Sequence, residues 1–173
     1  ELGFYTLAGH SDSPRDLVDE VRRAEELGLG AAFISERFNL KDAPTLSGAA
    51  AAVSETIGIA TGATNHNTRH PLLTATFGTT MHRLSGGRFV FGIGFGWNED
   101  EFEDHGVSMA DRREVCREHL LVMQSIWRDD VVADNQPGPG EFVNQRTVYW
   151  APPPVTLSLS HNTTNTALAG NTH

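Results

Sequence analysis

RLSGGRFVFGIGFGWNEDEF, residues 83–102, sets glycines into an apolar run and then turns acidic. Its centre, "RFVFGIGF", has the length and the Phe, Val and Ile content of a buried strand. Gly92, Gly94 and Gly96 alternate, so a pleated strand places all three on one face. A dinucleotide-binding turn needs a further glycine three residues after Gly94, at a helix start, and that position is Trp97. The Gly-Lys-Ser/Thr of a Walker loop is absent as well. The glycines therefore make room for bulky neighbours in a crowded core, or let a flat ligand lie against the backbone. Under either reading Trp97 and Asn98 fall at the strand's C-terminal end, where the sites of parallel α/β folds are built.

Working outward, the same grammar repeats. "LGFYTL" has strand length, and "GHSDSPRD" carries a helix start with Ser13 as N-cap, Pro14 in the first turn and Asp16 three beyond the cap. Leu17, Val18, Val21, Ala24 and Leu27 then recur at three- and four-residue steps until Gly28. "GAAFIS" lacks alternation and reads as a strand buried on both faces, ended by Glu36 and Arg37. A helix rich in small residues follows Pro44, then the strand "IGIATGAT", then a helix from Pro71 to the break at Ser85-Gly86-Gly87. After the acidic loop, Ser108 and Asp111 form a capping box. The helix behind it gathers Val115, Cys116, His119, Leu120, Val122, Met123, Ile126 and Trp127 on one face. Four alternations with short loops predict parallel strands and right-handed crossovers, as an open doubly wound sheet or a (β/α) barrel. From residue 129 Pro and Gly accumulate; "VTLSLS" reads as a fifth strand and "TNTALAG" as the start of a helix.

The chain has 173 residues, enough for one domain with a real core. Thirteen Lys and Arg against twenty-two Asp and Glu give a formal charge of −9. That balance disfavours nucleic acid or an anionic membrane surface as partner. No apolar run approaches membrane-span length, and the single Cys116 suits a reducing cytoplasm. Because the first residue is Glu1 and not Met, the reading is of a processed or excised chain.

His66 and His70 stand four residues apart, but Pro71 argues against the helix a metal pair would need. His66 reads instead as a strand-end residue that faces a substrate, or as a solvated loop histidine. Glu36 and Arg37 read as an acid and an anion or carbonyl anchor, or as a salt-bridged rim. With no covalent or metal site in the pattern, the strand ends point to a borrowed cofactor.

The stretch "TNHNTRHPLLTATFGTTMHRLSGGRFVFGIGFGWNEDEFEDHG", followed by "SIWRDD" and "APPPV", resembles the bacterial luciferase-like monooxygenase superfamily. "ISERFNLKDAPTLSGAAAAV" and the Thr64-Asn65…Arg69-His70-Pro71 pattern resemble its deazaflavin branch, which uses coenzyme F-420 in place of FMN. The resemblance runs from about Leu2 to Val155, and residues 156–173 read as a divergent or truncated tail. It implies a (β/α)8 TIM-barrel type of fold, present here as an incomplete barrel of about four to five β/α units. The ring would lie at the C-terminal mouth, against a bulge that often includes a non-proline cis peptide. On this chain the bulge falls at Gly62 and Ala63, with Thr64, Asn65 and Gly94 completing the cofactor face. Glu36, Arg37, His66 and Trp97 lie toward a small-molecule substrate.

The implied reaction is hydride transfer between reduced coenzyme F-420, or FMN, and a small organic substrate. A homodimer, common in relatives, is also implied. Where some deazaflavin dehydrogenases carry a His-containing motif after strand two and a Glu after strand four, this chain has Arg37 and Trp97. Their acid-base roles are therefore not carried over, and Trp97 is left a stacking role. The rival expectation is a truncated, non-catalytic remnant acting through partner or self-association, because four strands cannot close a barrel.

Overall fold

The computed structural model describes residues 2–8, 12–128 and 156–159. The elements run β1 (Gly3–Tyr5), α1 (Asp16–Glu26), β2 (Ala31–Ile34), α2 (Ala43–Ala52), β3 (Gly58–Thr61), β4 (Thr64–Asn65), a 3-10 turn (His66–Thr68), α3 (Pro71–Leu84), β5 (Phe89–Gly94), α4 (Glu99–Asp104), α5 (Arg112–Arg128) and β6 (Thr156–Leu159). All strand pairs are parallel, in the order β1-β2-β3-β5, with β4 continuing β3 along the same edge of β5 and β6 on β5's other edge. Strands alternate with helices as the spacing predicts, and the sheet is open among the described residues. This is an α/β fold of the barrel type, incomplete as a barrel. β6 realises the strand read at "VTLSLS". The helix read at "TNTALAG" lies outside the described residues.

Register explains which residues meet the helices. Ala32 pairs with Ile59 and Ile59 with Phe89, and all three are buried with Ile34, Phe91 and Ile93 against Leu17, Val21, Leu46, Ala75, Met123 and Trp127. Phe33, Ala60 and Val90 share the opposite face, together with Tyr5, which is 56% exposed. β2 is therefore buried on one face and half-buried on the other, where burial on both faces was expected. Its apolar run lacks alternation because small and aromatic residues line the inner face while aliphatics line the helix side.

Local starts and stops differ by small amounts from the sequence reading. α1 begins at Asp16, because Ser13 Oγ accepts the Arg15 N–H (3.2 Å) and shapes a turn ahead of the helix. Gly28 ends that helix at φ +71°, a left-handed value that favours glycine. The "acidic loop" contains a short helix, α4, capped by Asn98 through the Asp100 N–H (3.2 Å). Three acidic residues in its first turn suit the positive end of the helix dipole, and Phe102 anchors it in the core. Strand β5 stops at Gly94, so Gly96 does not extend the strand face. It sits at φ +74°, where a Cβ would lie 2.5 Å from Asn65 Nδ2 and 2.6 Å from Phe102.

Candidate functional site

At the C-terminal end of β3 the ladder breaks. The Gly62–Ala63 peptide is cis, at the position the resemblance gives for the bulge, and pairing with β5 resumes at Thr64 and Asn65. Thr61 fills the gap: its hydroxyl donates to the Gly92 carbonyl and accepts the Gly92 N–H, both at 2.8 Å. β2 grips the bulge from the other side, with Gly62 N–H on Ile34 O (2.8 Å) and Glu36 N–H on Ala63 O (3.4 Å). Below it, Asn67 Nδ2 donates to Phe95 O and Arg112 O, both at 3.0 Å, tying the segment to the end of β5 and the start of α5. Backbone groups that a regular strand would satisfy are thus satisfied partly by side chains and partly by the β2 backbone.

Glu36 is the charged centre of this arrangement. Its Oε2 accepts the Asn65 N–H (3.0 Å), and its Oε1 pairs with Arg69 Nη2 (2.6 Å). The same Nη2 reaches Asp42 Oδ1 (2.7 Å), while Asp42 Oδ2 caps α2 through the Thr45 N–H (3.0 Å). Burial pushes the Glu36 carboxyl above its ordinary value, with the Arg69 charge opposing that shift. Asp42 is held below its ordinary value by the Thr45 and Arg69 hydrogen bonds, against the burial that would raise it. Both Glu36 oxygens are committed to internal partners, so the ion-paired reading fits its geometry and the free-acid expectation does not.

Two clefts open beside this centre. One, of about 420 Å³, lies between the 36–42 loop, Arg69, Glu101 and His105; Phe38 and His105 meet edge-on across it, with ring centroids 6.2 Å apart. The other, of about 330 Å³, sits over the ends of β1 to β3 and is lined by Tyr5, Leu7, Ser35, Lys41 and Gly62 among others. Arg37 lines both. The β1 end is pinned there: Glu20 accepts the Leu7 N–H (2.7 Å), and Lys41 Nζ donates to the Leu7 carbonyl. Trp97 is 69% exposed and lines neither cleft.

His66 is a correction. It is 1% exposed, in the 3-10 turn, with its ring edge-on to His119 of α5 at 5.7 Å. Tight 3-10 winding after Asn65 rolls the imidazole away from the mouth and into the helix layer. Burial, reinforced by His119, lowers its pKa to about 3. It is neither a substrate-facing residue nor a solvated loop histidine. His70, its neighbour in the sequence motif, caps α3 by accepting the Leu72 N–H at Nδ1 (3.1 Å).

The structure thus brings Glu36, Gly62, Ala63, Thr64, Asn65 and Gly94 together around one bulge, with Arg37 at the adjoining clefts. Asn65 and Gly94 are register partners, whereas Thr64 is fully buried on the helix side with Ile93. Asp42, Thr61 and Asn67 escape the sequence reading, and Arg69 enters it as part of a motif without a role. Asp42 before "APT" is a legible cap signal. The others bond to groups 28 to 45 positions away, at separations no local pattern encodes.

The model of the luciferase-like monooxygenase family matches residues 1–172. The chain belongs to that family. An uncharacterized protein of Mycobacterium tuberculosis is 38% identical over 108 residues, covering 62% of this chain and 37% of that protein. An F-420-dependent glucose-6-phosphate dehydrogenase of Amycolatopsis mediterranei is 29% identical over 140 residues, covering 74% of this chain and 42% of that enzyme. The oxygenating constituent of 3,6-diketocamphane monooxygenase from Pseudomonas putida, solved in complex with FMN, superposes with a TM-score of 0.68 at 24% identity. That match covers 86% of this chain and 43% of the other, and it speaks for the fold alone. The chain spans less than half the length of these relatives.

Proposed function

We propose that this chain seats the ring of coenzyme F-420, with FMN as the alternative, in a luciferase-like oxidoreductase acting on a small organic substrate. The observation that carries the reading is the side-chain-held bulge at residues 62–65, which breaks the sheet at the mouth of the parallel strands. The residues around it suit a planar ring. Gly94 leaves the backbone bare beside Asn65, Ala60 and Val90 keep the same face low, and Tyr5 with Phe33 lies alongside. Asn65 holds the bulge rather than the ring: its Nδ2 is buried, packed under Gly96 beside Phe102.

When bound, such a ring supplies two-electron redox chemistry, as a hydride donor or acceptor. The chain's own work is to fix the ring plane on the bulge, direct one face toward the clefts and exclude water from that contact. Arg37, between the two clefts, is placed to hold an anionic or carbonyl group of the substrate. His66 has no part in it. Trp97, exposed on the loop beyond Gly94, is left outside the ring seat.

Titration of the full chain with coenzyme F-420 and with FMN, followed by ring fluorescence, tests the reading. Saturable quenching by one of the two is expected, and Gly94→Val, which raises a side chain from the seat, should weaken that binding at least tenfold. A chain that quenches neither ring abandons the reading in favour of a non-catalytic remnant.

A further inference from the structure

We infer that Glu36 is a positioning residue for the ring seat: held by Arg69, it fixes the Asn65 backbone against which the ring lies and takes no part in proton transfer. This rests on the ring-seat reading above and assigns a role within it. Three observations carry it. First, Glu36 grips the bulge at two points, its N–H on Ala63 O (3.4 Å) and its Oε2 on Asn65 N (3.0 Å). The contact to Asn65 comes one residue before the 3-10 turn and at the register partner of Gly94. A change in that hydrogen bond therefore moves the segment on which the ring would rest.

Second, the carboxylate is buried and paired. Its side chain is 9% exposed, and Arg69 Nη2 lies 2.6 Å from Oε1. Arg69 is in turn tied to Asp42 at 2.7 Å and, through its own N–H, to His66 O at 3.1 Å. The chain of contacts joins the cap of α2, the end of β2 and the turn after β4. A charge-assisted pair of this geometry sets position as well as energy.

Third, the regular ladder cannot do this job, because β2 pairs with β3 only as far as Thr61. Beyond that residue the hydrogen bonds from the β2 side to the bulge, among the described residues, are Gly62 N–H on Ile34 O and the two made by Glu36. Gln in place of Glu36 keeps an oxygen that can accept the Asn65 N–H, whereas Ala removes the acceptor. The two substitutions separate hydrogen bonding from acidity.

The test uses the full chain, with amide hydrogen exchange and coenzyme F-420 or FMN fluorescence titration on Glu36→Ala, Glu36→Gln and Arg69→Gln. Glu36→Ala should speed Asn65 exchange at least tenfold and weaken ring binding at least tenfold, with exchange in α3 unchanged. Glu36→Gln should stay within threefold of the unmodified chain in both, and Arg69→Gln should fall between. Asn65 exchange and ring affinity both within threefold in Glu36→Ala overturn the inference, as does Glu36→Gln impaired as much as Glu36→Ala. If Glu36→Ala does not fold, Glu36→Gln against Arg69→Gln decides: the inference requires the first to be the milder. If the unmodified chain binds neither ring, the functional reading falls, and the clamp stands or falls on Asn65 exchange alone.

Discussion

The two ends of the sheet use the same charged residue types in different proportions, more on backbone at one end and more on one another at the other. At the N-terminal ends of β3 and β5, Arg88 and Glu25 are spent mainly on backbone. Arg88 donates to Ser85 O (2.8 Å), Ile57 O (2.5 Å), Ser54 O (2.9 Å) and Ser54 Oγ (3.1 Å). Glu25 accepts the N–H groups of Glu55, Thr56 and Ile57 at 2.5 to 2.9 Å. At the C-terminal ends, Glu36, Arg69 and Asp42 pair with one another, and one oxygen each of Glu36 and Asp42 also reaches the main chain, at the Asn65 and Thr45 N–H groups. The lower end closes the loops that enter the strands. The upper end holds an irregular segment in place beside open clefts. Stability is concentrated below and placement above, which is the division expected when a scaffold carries its site on strand ends.

The sharpest way to break that comparison is at Arg88. Arg88→Ala leaves the Ser54, Ile57 and Ser85 carbonyls without their guanidinium donor, so about 4 kcal/mol of unfolding free energy should be lost. Urea denaturation measures it. Ring affinity of the folded fraction should stay unchanged; a selective loss of binding instead would mean the two ends are not separable.

The next effect comes from acid. His66 has an ordinary value of 6.5 and is lowered to about 3 in the folded chain. The unfolded chain therefore binds the extra proton over that window, so stability is full above pH 6.5 and falls as pH drops toward 3. Between pH 7 and pH 4.5 the loss from this one group is about 3 kcal/mol. Urea midpoints in pH steps should show it, and His66→Leu should flatten that part of the profile. An unchanged slope in His66→Leu would show that the upper layer is not the acid-sensitive one.

The smallest effect belongs to Glu25, held at about 2 against an ordinary 4.5, chiefly by the Thr56 N–H. Its contribution is complete above pH 4.5 and is lost as pH falls toward 2, a lower window than that of His66. Because the group is largely solvent-facing, Glu25→Gln should cost only about 1 kcal/mol at neutral pH. A pH-stability curve flattened between pH 6.5 and 4.5 by His66→Leu, and below pH 3 by Glu25→Gln, would put the contrast between the ends on a quantitative footing.

Much of the fold was legible because it rests on local, repeated signals. The 3.6-residue stripe of α5, the Gly28 stop and the apolar runs of β2, β3 and β5 each sit where the sequence puts them. α4 was missed, although Asn98 before three acidic residues is a cap signal that the charge run masked. Of the site, the bulge position and its small-residue face were legible, partly through family resemblance. The state of its polar residues was not. Glu36 looks like a strand-end acid until Arg69, 33 positions away, is found on it. His66 looks like a mouth residue until a single 3-10 turn carries it under α5.

By itself the sequence determined the parallel α/β alternation, written in residue spacing over a few turns or strand steps, and the acidic balance, written in composition; the place where the third strand breaks was supplied by the family resemblance. Only the tertiary structure decided which charges are committed to internal partners, which histidine is buried and which aromatic stands apart from the clefts. Those outcomes depend on contacts between segments far apart in the chain, and such contacts exist only once the sheet has set its register.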